Sequence, residues 1–156
     1  MAFGPPEFEN SPLAGIDFSW LAVDRDGHVA WLVTAGSAVV PPWVKGDPDA
    51  FDEAEALLAA LPVRGGVPPI DASSALAQWL ETARRGVFAY DWSVYDGPYK
   101  LIARPANPIQ VTGLPIVLAE LALRTRFKHL CFKKSPVLKV RDVVARTQSP
   151  LPDSAS

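Results

Sequence analysis

Two alternating runs open the pattern. Ile16, Phe18 and Trp20 are separated by Asp17 and Ser19, and Val29, Trp31 and Val33 are separated by Ala30 and Leu32. A period of two sends successive side chains to opposite faces of a strand. Asp26-Gly27 lies between the runs, and both residue types tolerate the positive φ of a two-residue type I′ turn. The pattern therefore predicts a β-hairpin over Ile16–Thr34. Ala35-Gly36-Ser37 ends its second arm, and Pro41-Pro42 prevents further regular pairing.

The period then becomes helical. Asp47-Pro48-Asp49 offers a capping carboxylate and a proline at the first helical position. Phe51, Ala54, Leu58 and Leu61 share one face before Pro62 stops the element. Val63 to Ile70 reads as a loop, since it holds Gly65-Gly66 and Pro68-Pro69. Ser73 or Ser74 is expected to cap a second helix, with Leu76, Trp79, Leu80 and Ala83 in register and Arg84-Arg85-Gly86 closing it. Val87–Trp92 and Tyr99–Ala103 read as strands joined through a turn at Asp96-Gly97-Pro98. Thr112 is expected to cap a third helix, with Pro115 in its first turn and Leu114, Val117, Leu118 and Leu121 on its buried face. Phe127–Phe132 and Val137–Val144 read as two last strands, the second alternatively as a short helix.

These elements predict a single α+β domain over residues 16–146. An antiparallel sheet starts at the N-terminal hairpin, and about three helices pack mainly on one face. Residues 1–15 form an N-terminal arm and residues 147–156 a Ser- and Pro-rich tail. A length of 156 residues suits one core.

Composition narrows the function. Hydrophobic residues make up 49% and charged residues 21%, too apolar for a disordered chain. Every apolar run is broken by Pro, Asp or Arg before the ~18–20 residues that span a bilayer. Met1–Gly15 has neither the basic start nor the apolar core of a secretory signal, so a cytoplasmic location is expected and no membrane contact. Cys131 is the single cysteine, which excludes an internal disulfide. With His28 and His129 as the only imidazoles it cannot complete a four-ligand nitrogen and sulfur zinc site, so no metal and no cofactor are expected.

The net charge of −2 conceals an asymmetry. Residues 1–60 hold ten carboxylates (Glu7, Glu9, Asp17, Asp24, Asp26, Asp47, Asp49, Asp52, Glu53, Glu55) against Arg25 and Lys45, a net of −8, and the remainder carries +6. A polarised chain of this kind steers a charged partner.

Catalytic patterns are sparse. His129 and Cys131 would share a strand face about 6 Å apart, with no third group to orient them. The sequence has no G-x-S-x-G elbow and no glycine loop of the phosphate-binding kinds. Asp91 and Asp96 flank the aromatic stretch Tyr90–Tyr99, an arrangement a small hydrolase would use. Turn chemistry explains Asp96 equally well, and Tyr90, Trp92 and Tyr95 suit an interface. Arg124, Arg126, Lys128, Lys133, Lys134, Lys139 and Arg141, interleaved with Phe127 and Phe132, would suit a nucleic-acid-binding accessory protein. On a strand, however, Lys128 shares its face with Leu130 and Phe132, which breaks the basic stripe, so no direct nucleic-acid contact is expected. The candidate partner contacts are Asp24, Asp26, Asp47, Asp49, Asp52 and Glu53, followed by Tyr90, Trp92, Tyr95 and Asp96.

Three segments carry a resemblance: Gly15-Ile16-Asp17-Phe18-Ser19-Trp20-Leu21-Ala22-Val23-Asp24-Arg25-Asp26-Gly27-His28-Val29-Ala30, the central Gly86-Val87-Phe88-Ala89-Tyr90-Asp91-Trp92, and Leu114-Pro115 leading through a Leu-rich helix to Arg126-Phe127. Together they resemble small bacterial proteins of the immunity type, which are encoded beside secreted antibacterial toxins. The resemblance spans roughly residues 15 to 140. It implies a protein that binds and blocks one cognate toxin and has no activity of its own. Immunity surfaces differ with each toxin, so the resemblance assigns no contact residue. An inhibitor must meet its toxin where the toxin acts, here the cytoplasm. An acidic surface fits the basic groove of a nuclease effector; a toxin acting on cofactors or proteins fits the same reading.

Overall fold

A computed structural model of the chain describes residues 19–34, 40–65, 76–92, 98–139 and 147–148. Seven strands form one sheet: β1 (Ser19–Asp24), β2 (Val29–Val33), β3 (Phe88–Trp92), β4 (Tyr99–Ala103), β5 (Arg126–Phe127), β6 (Val137–Leu138) and β7 (Thr147–Gln148), in the order β6-β4-β3-β2-β1-β5-β7. Among the described residues four helices accompany them: α1 (Pro42–Lys45), α2 (Pro48–Ala59), α3 (Ala77–Arg84) and α4 (Ile116–Leu123). The fold is α+β, as the pattern predicts.

The hairpin of β1 and β2 is antiparallel, with Trp20 opposite Leu32 and Val23 opposite Val29. Its connection has three residues, not two. Asp24 N–H donates to the His28 carbonyl at 3.0 Å, Gly27 N–H donates to the Asp24 carbonyl at 3.2 Å, and Gly27 takes φ 83°. Only glycine adopts that conformation without strain, which fixes a one-residue bulge at the turn. The arm residues Ile16, Asp17 and Phe18 lie outside the described residues, as do residues 1–15, Ala35-Gly36-Ser37, Ser73, Ser74 and Val140–Val144.

The sheet is mixed. β1–β2, β3–β4, β4–β6 and β5–β7 are antiparallel, whereas β2–β3 and β1–β5 are parallel. Helices α1, α2 and α3 occupy the connection from β2 to β3, and such a crossover returns the next strand parallel. Every residue of β1 is buried. On one face, Leu21, Val23, Val29 and Trp31 meet the helices; on the other, Trp20, Leu32, Phe88 and Tyr90 meet Phe132 and Tyr99. A central strand covered on both faces needs an apolar run, which Trp20-Leu21-Ala22-Val23 supplies.

Helix α2 buries Phe51, Ala54, Leu58 and then Leu61, the predicted face. Proline holds its first position, but Asp47 makes no side-chain cap; its carboxylate turns to Arg124 instead, at 2.8 Å. Thr112 caps no helix either. It sits inside a 3-10 turn, Val111–Gly113, and α4 starts after Pro115. Leu114, Leu118 and Leu121 are buried as expected, while Val117 is exposed. The strand expected over Phe127–Phe132 is cut to β5, because Phe132–Lys134 form a 3-10 turn that drops Phe132 into the sheet's curl, 5.7 to 5.9 Å from the rings of Phe88, Tyr90 and Phe127; of the last expected strand, Val137–Leu138 form β6 and Val140–Val144 lie outside the described residues. Thr147–Gln148, expected at the start of the tail, pair with β5.

Candidate functional site

Asp24 is 3% exposed. Its Oδ1 accepts the N–H groups of Asp26 and His28, each at 2.9 Å, and its Oδ2 accepts that of Phe132 at 2.8 Å. Short Asp side chains fold back on their own turn in this way. The expected contact residue is thus a buried tie that fastens the hairpin to the 131–132 loop. Asp26 is half-exposed beside Arg25 at 3.8 Å. A hydrogen bond from the Cys131 thiol, with Arg25 adding to it, holds its carboxyl below the usual range. Burial, reinforced by the Asp26 bond, pushes the thiol up, so Cys131 is a poor nucleophile. Ligand atoms of Asp24, Asp26 and His28 lie within 4.8 Å of one another, the spacing of a metal site. Three backbone N–H groups already engage Asp24, which makes its carboxylate a turn clamp.

Tyr90 and Trp92 are core residues, not contact residues. The Tyr90 hydroxyl donates to the Ser135 carbonyl at 2.6 Å, and the Trp92 ring lies 4.9 Å from that of Tyr99. Both are under 4% exposed, because β3 is interior to the sheet and its even positions face Phe132 and Tyr99. Asp91 is half-buried in register with Lys100. Tyr95 and Asp96 lie outside the described residues.

The remaining acids belong to α2. Asp47 at its start is half-exposed and held by Arg124, whose guanidinium also lies 5.6 Å above the Phe51 ring. Asp49, Asp52 and Glu53 are exposed, three and four residues apart on the side of the helix that its buried face leaves to solvent. Among the described residues, no cation forms an ion pair with any of the three. Glu55, three residues beyond Asp52, is also exposed, and its Oε1 accepts the Ser19 hydroxyl at 2.8 Å.

Beside this row lies a cleft of about 410 Å³ that the sequence reading missed. Leu58, Ala59 and Glu55 of α2, Ala77, Gln78, Glu81 and Thr82 of α3, Trp31 of β2 and the following Arg85 line it. Trp31 is 4% exposed and its ring lies tilted at 51° to that of Trp79, 6.3 Å between centroids. Glu81 is held below the usual carboxylate range, first by Arg85 at 2.8 Å and then by Arg84 at 3.2 Å. The signal available in the sequence was the pair Ala59 and Ala77: two small residues where adjacent helices line up over a tryptophan leave room. The basic candidates Arg126, Lys128, Lys133, Lys134 and Lys139 are exposed, Arg124 is committed to Asp47, and Arg141 lies outside the described residues.

Comparison of the chain with protein-family models, with curated proteins and with solved structures gave no match, which leaves residue chemistry and geometry as the grounds for a functional reading.

Proposed function

We propose that this protein is a stoichiometric inhibitor of another protein: an immunity protein that binds and neutralises a cognate antibacterial toxin acting in the cytoplasm, with a nuclease effector as the best-fitting partner. The observation that carries the reading is the row Asp49, Asp52 and Glu53, exposed on one rigid helix with no ion-pair partner among the described residues. Such a row repels other acidic surfaces and attracts a groove built to hold phosphates, raising the association rate more than the intrinsic strength of the complex. Asp47 borders the contact.

The test is capture followed by rescue. The tagged chain is recovered from its host with its partner, the partner is expressed alone, and growth is compared with and without the chain. A one-to-one complex whose toxicity the chain removes is the expected result. A folded chain that instead binds DNA or RNA, with affinity falling steeply as salt rises, would favour the accessory-protein reading and overturn this one.

A further inference from the structure

We infer that the cleft between α2 and α3 seats one arginine side chain of the protein partner, its methylene stem on Trp31 and its guanidinium on Glu55. The inference rests on the docking reading above and names the part of the partner that enters. Three observations lead to it. The cleft floor is apolar, Trp31 with Leu58, Ala59 and Ala77, and of a size that takes a side chain whole. Of the two carboxylates at its rim, Glu81 is already ion-paired with both Arg84 and Arg85, whereas Glu55 has a hydroxyl on Oε1 and no cation among the described residues. Asp52 stands one helical turn before Glu55, so the exposed carboxylates of α2 run down to the cleft.

Anchors that fill interface pockets are most often tryptophan, tyrosine or arginine. The uncompensated carboxylate selects the cation among them, and arginine lays its apolar stem along the cleft floor while its planar fork pairs with a carboxylate, which lysine does less well. Ser19 fixes the Glu55 carboxylate in advance, so little ordering remains when the guanidinium arrives. A second copy of this chain is the wrong occupant, because it would bring its own α2 carboxylates against Glu55.

The probe is acetyl-Gly-Arg-Gly-amide, compared with the same peptide carrying citrulline, a neutral isostere. The indole N–H signal of Trp31 in the full ¹⁵N-labelled chain, assigned with Trp31→Phe, reports occupation. The arginine peptide is expected to shift that signal to saturation and the citrulline peptide to bind about tenfold more weakly, as a charge-assisted hydrogen bond requires. Glu55→Gln should bring the arginine peptide down to the citrulline level. Ala59→Trp, which fills the cleft from an exposed position, should abolish the shift while leaving the rest of the spectrum in place. A Trp31 signal that ignores the arginine peptide, or answers both peptides alike, overturns the proposal. Octa-arginine separates this failure from that of the docking reading. If Asp49→Lys, Asp52→Lys and Glu53→Lys weaken its binding while Trp31 stays still, the cleft assignment falls and the docking surface stands. If the reversals leave its binding unchanged, the docking surface falls instead.

Discussion

The Asp24 carboxylate and the Phe132 backbone N–H meet at 2.8 Å across 108 residues of chain. That bond, with two more from the same side chain to its own turn, joins the first hairpin to the loop that plugs the sheet. Asp24→Ala leaves a buried N–H without a partner and two turn N–H groups unsupported, and a loss of roughly 3 kcal/mol is expected from such a network. Asp26→Ala, at an exposed carboxylate, should cost far less. Urea unfolding of both variants checks the contrast; equal losses would show that Asp24 does not clamp the loop.

Gly86 takes φ 94°, and a Cβ there would sit 2.9 Å from the Ile109 nitrogen and 3.0 Å from the Asn107 carbonyl oxygen. The left-handed conformation alone costs a larger residue about 1–2 kcal/mol, and backbone atoms cannot yield as a side-chain end would. Gly86→Ala should therefore lower the melting temperature by several degrees. Gly46 is the control: its φ is −76° and its nearest neighbour to an added Cβ is 3.7 Å away, so Gly46→Ala should leave stability equal or slightly raised.

Reversing Asp49, Asp52 and Glu53 to lysine should lower stability without unfolding the chain, since each exposed charge near a helix start contributes a few tenths to 1 kcal/mol. Association with the captured toxin should slow about tenfold or more at low salt and recover toward the wild-type rate near 0.5 M salt, where screening acts within a few ångströms. Stopped-flow rates at two ionic strengths decide it. A salt-independent loss would place the effect in contacts other than steering.

Tyr99 is wholly buried, and desolvation raises its phenol above the ordinary value of 10.0. The native state keeps the proton that the unfolded chain releases near pH 10. The stability that this neutral phenol contributes is therefore full below about pH 10 and is lost as pH rises through the native value. Tyr90, raised by burial in the same way, adds to the loss. Wild-type protein should lose stability steeply in urea titrations above pH 10. Tyr99→Phe should flatten that dependence, although it starts lower at neutral pH for want of the Trp20 indole bond at 3.1 Å.

Where local periodicity decides, the sequence was legible. Phe51, Ala54, Leu58 and Leu61 repeat at helical spacing and all four are buried on one face. Val87–Trp92 and Tyr99–Ala103 read as strands and pair with each other. Legibility ended where a distant residue competes for a local group. Asp47 has the chemistry of a cap, yet Arg124, brought beside it by α4, takes its carboxylate. Asp24 looks like a solvated turn residue until Phe132 arrives from the other end of the chain. Tyr90 and Trp92 have the composition of an interface, but strand order, which no window of sequence encodes, places β3 between β2 and β4 and buries both. The cleft beside α2 was hidden for the same reason: its floor and walls come from three elements far apart in sequence.

The parallel pairings of β2 with β3 and of β1 with β5 also set a schedule for the chain as it leaves the ribosome. A nascent segment ending near Ala60 holds a hairpin and two helices but no neighbour for the outer edge of either strand. Loops that long close slowly, and Phe132 emerges only after β3 and β4. The outer edge of β1 therefore stays open to aggregation until Arg126 and Phe127 have been made. Synonymous codon changes that slow translation between Val33 and Phe88 should therefore reduce soluble yield without altering a single residue of the folded product.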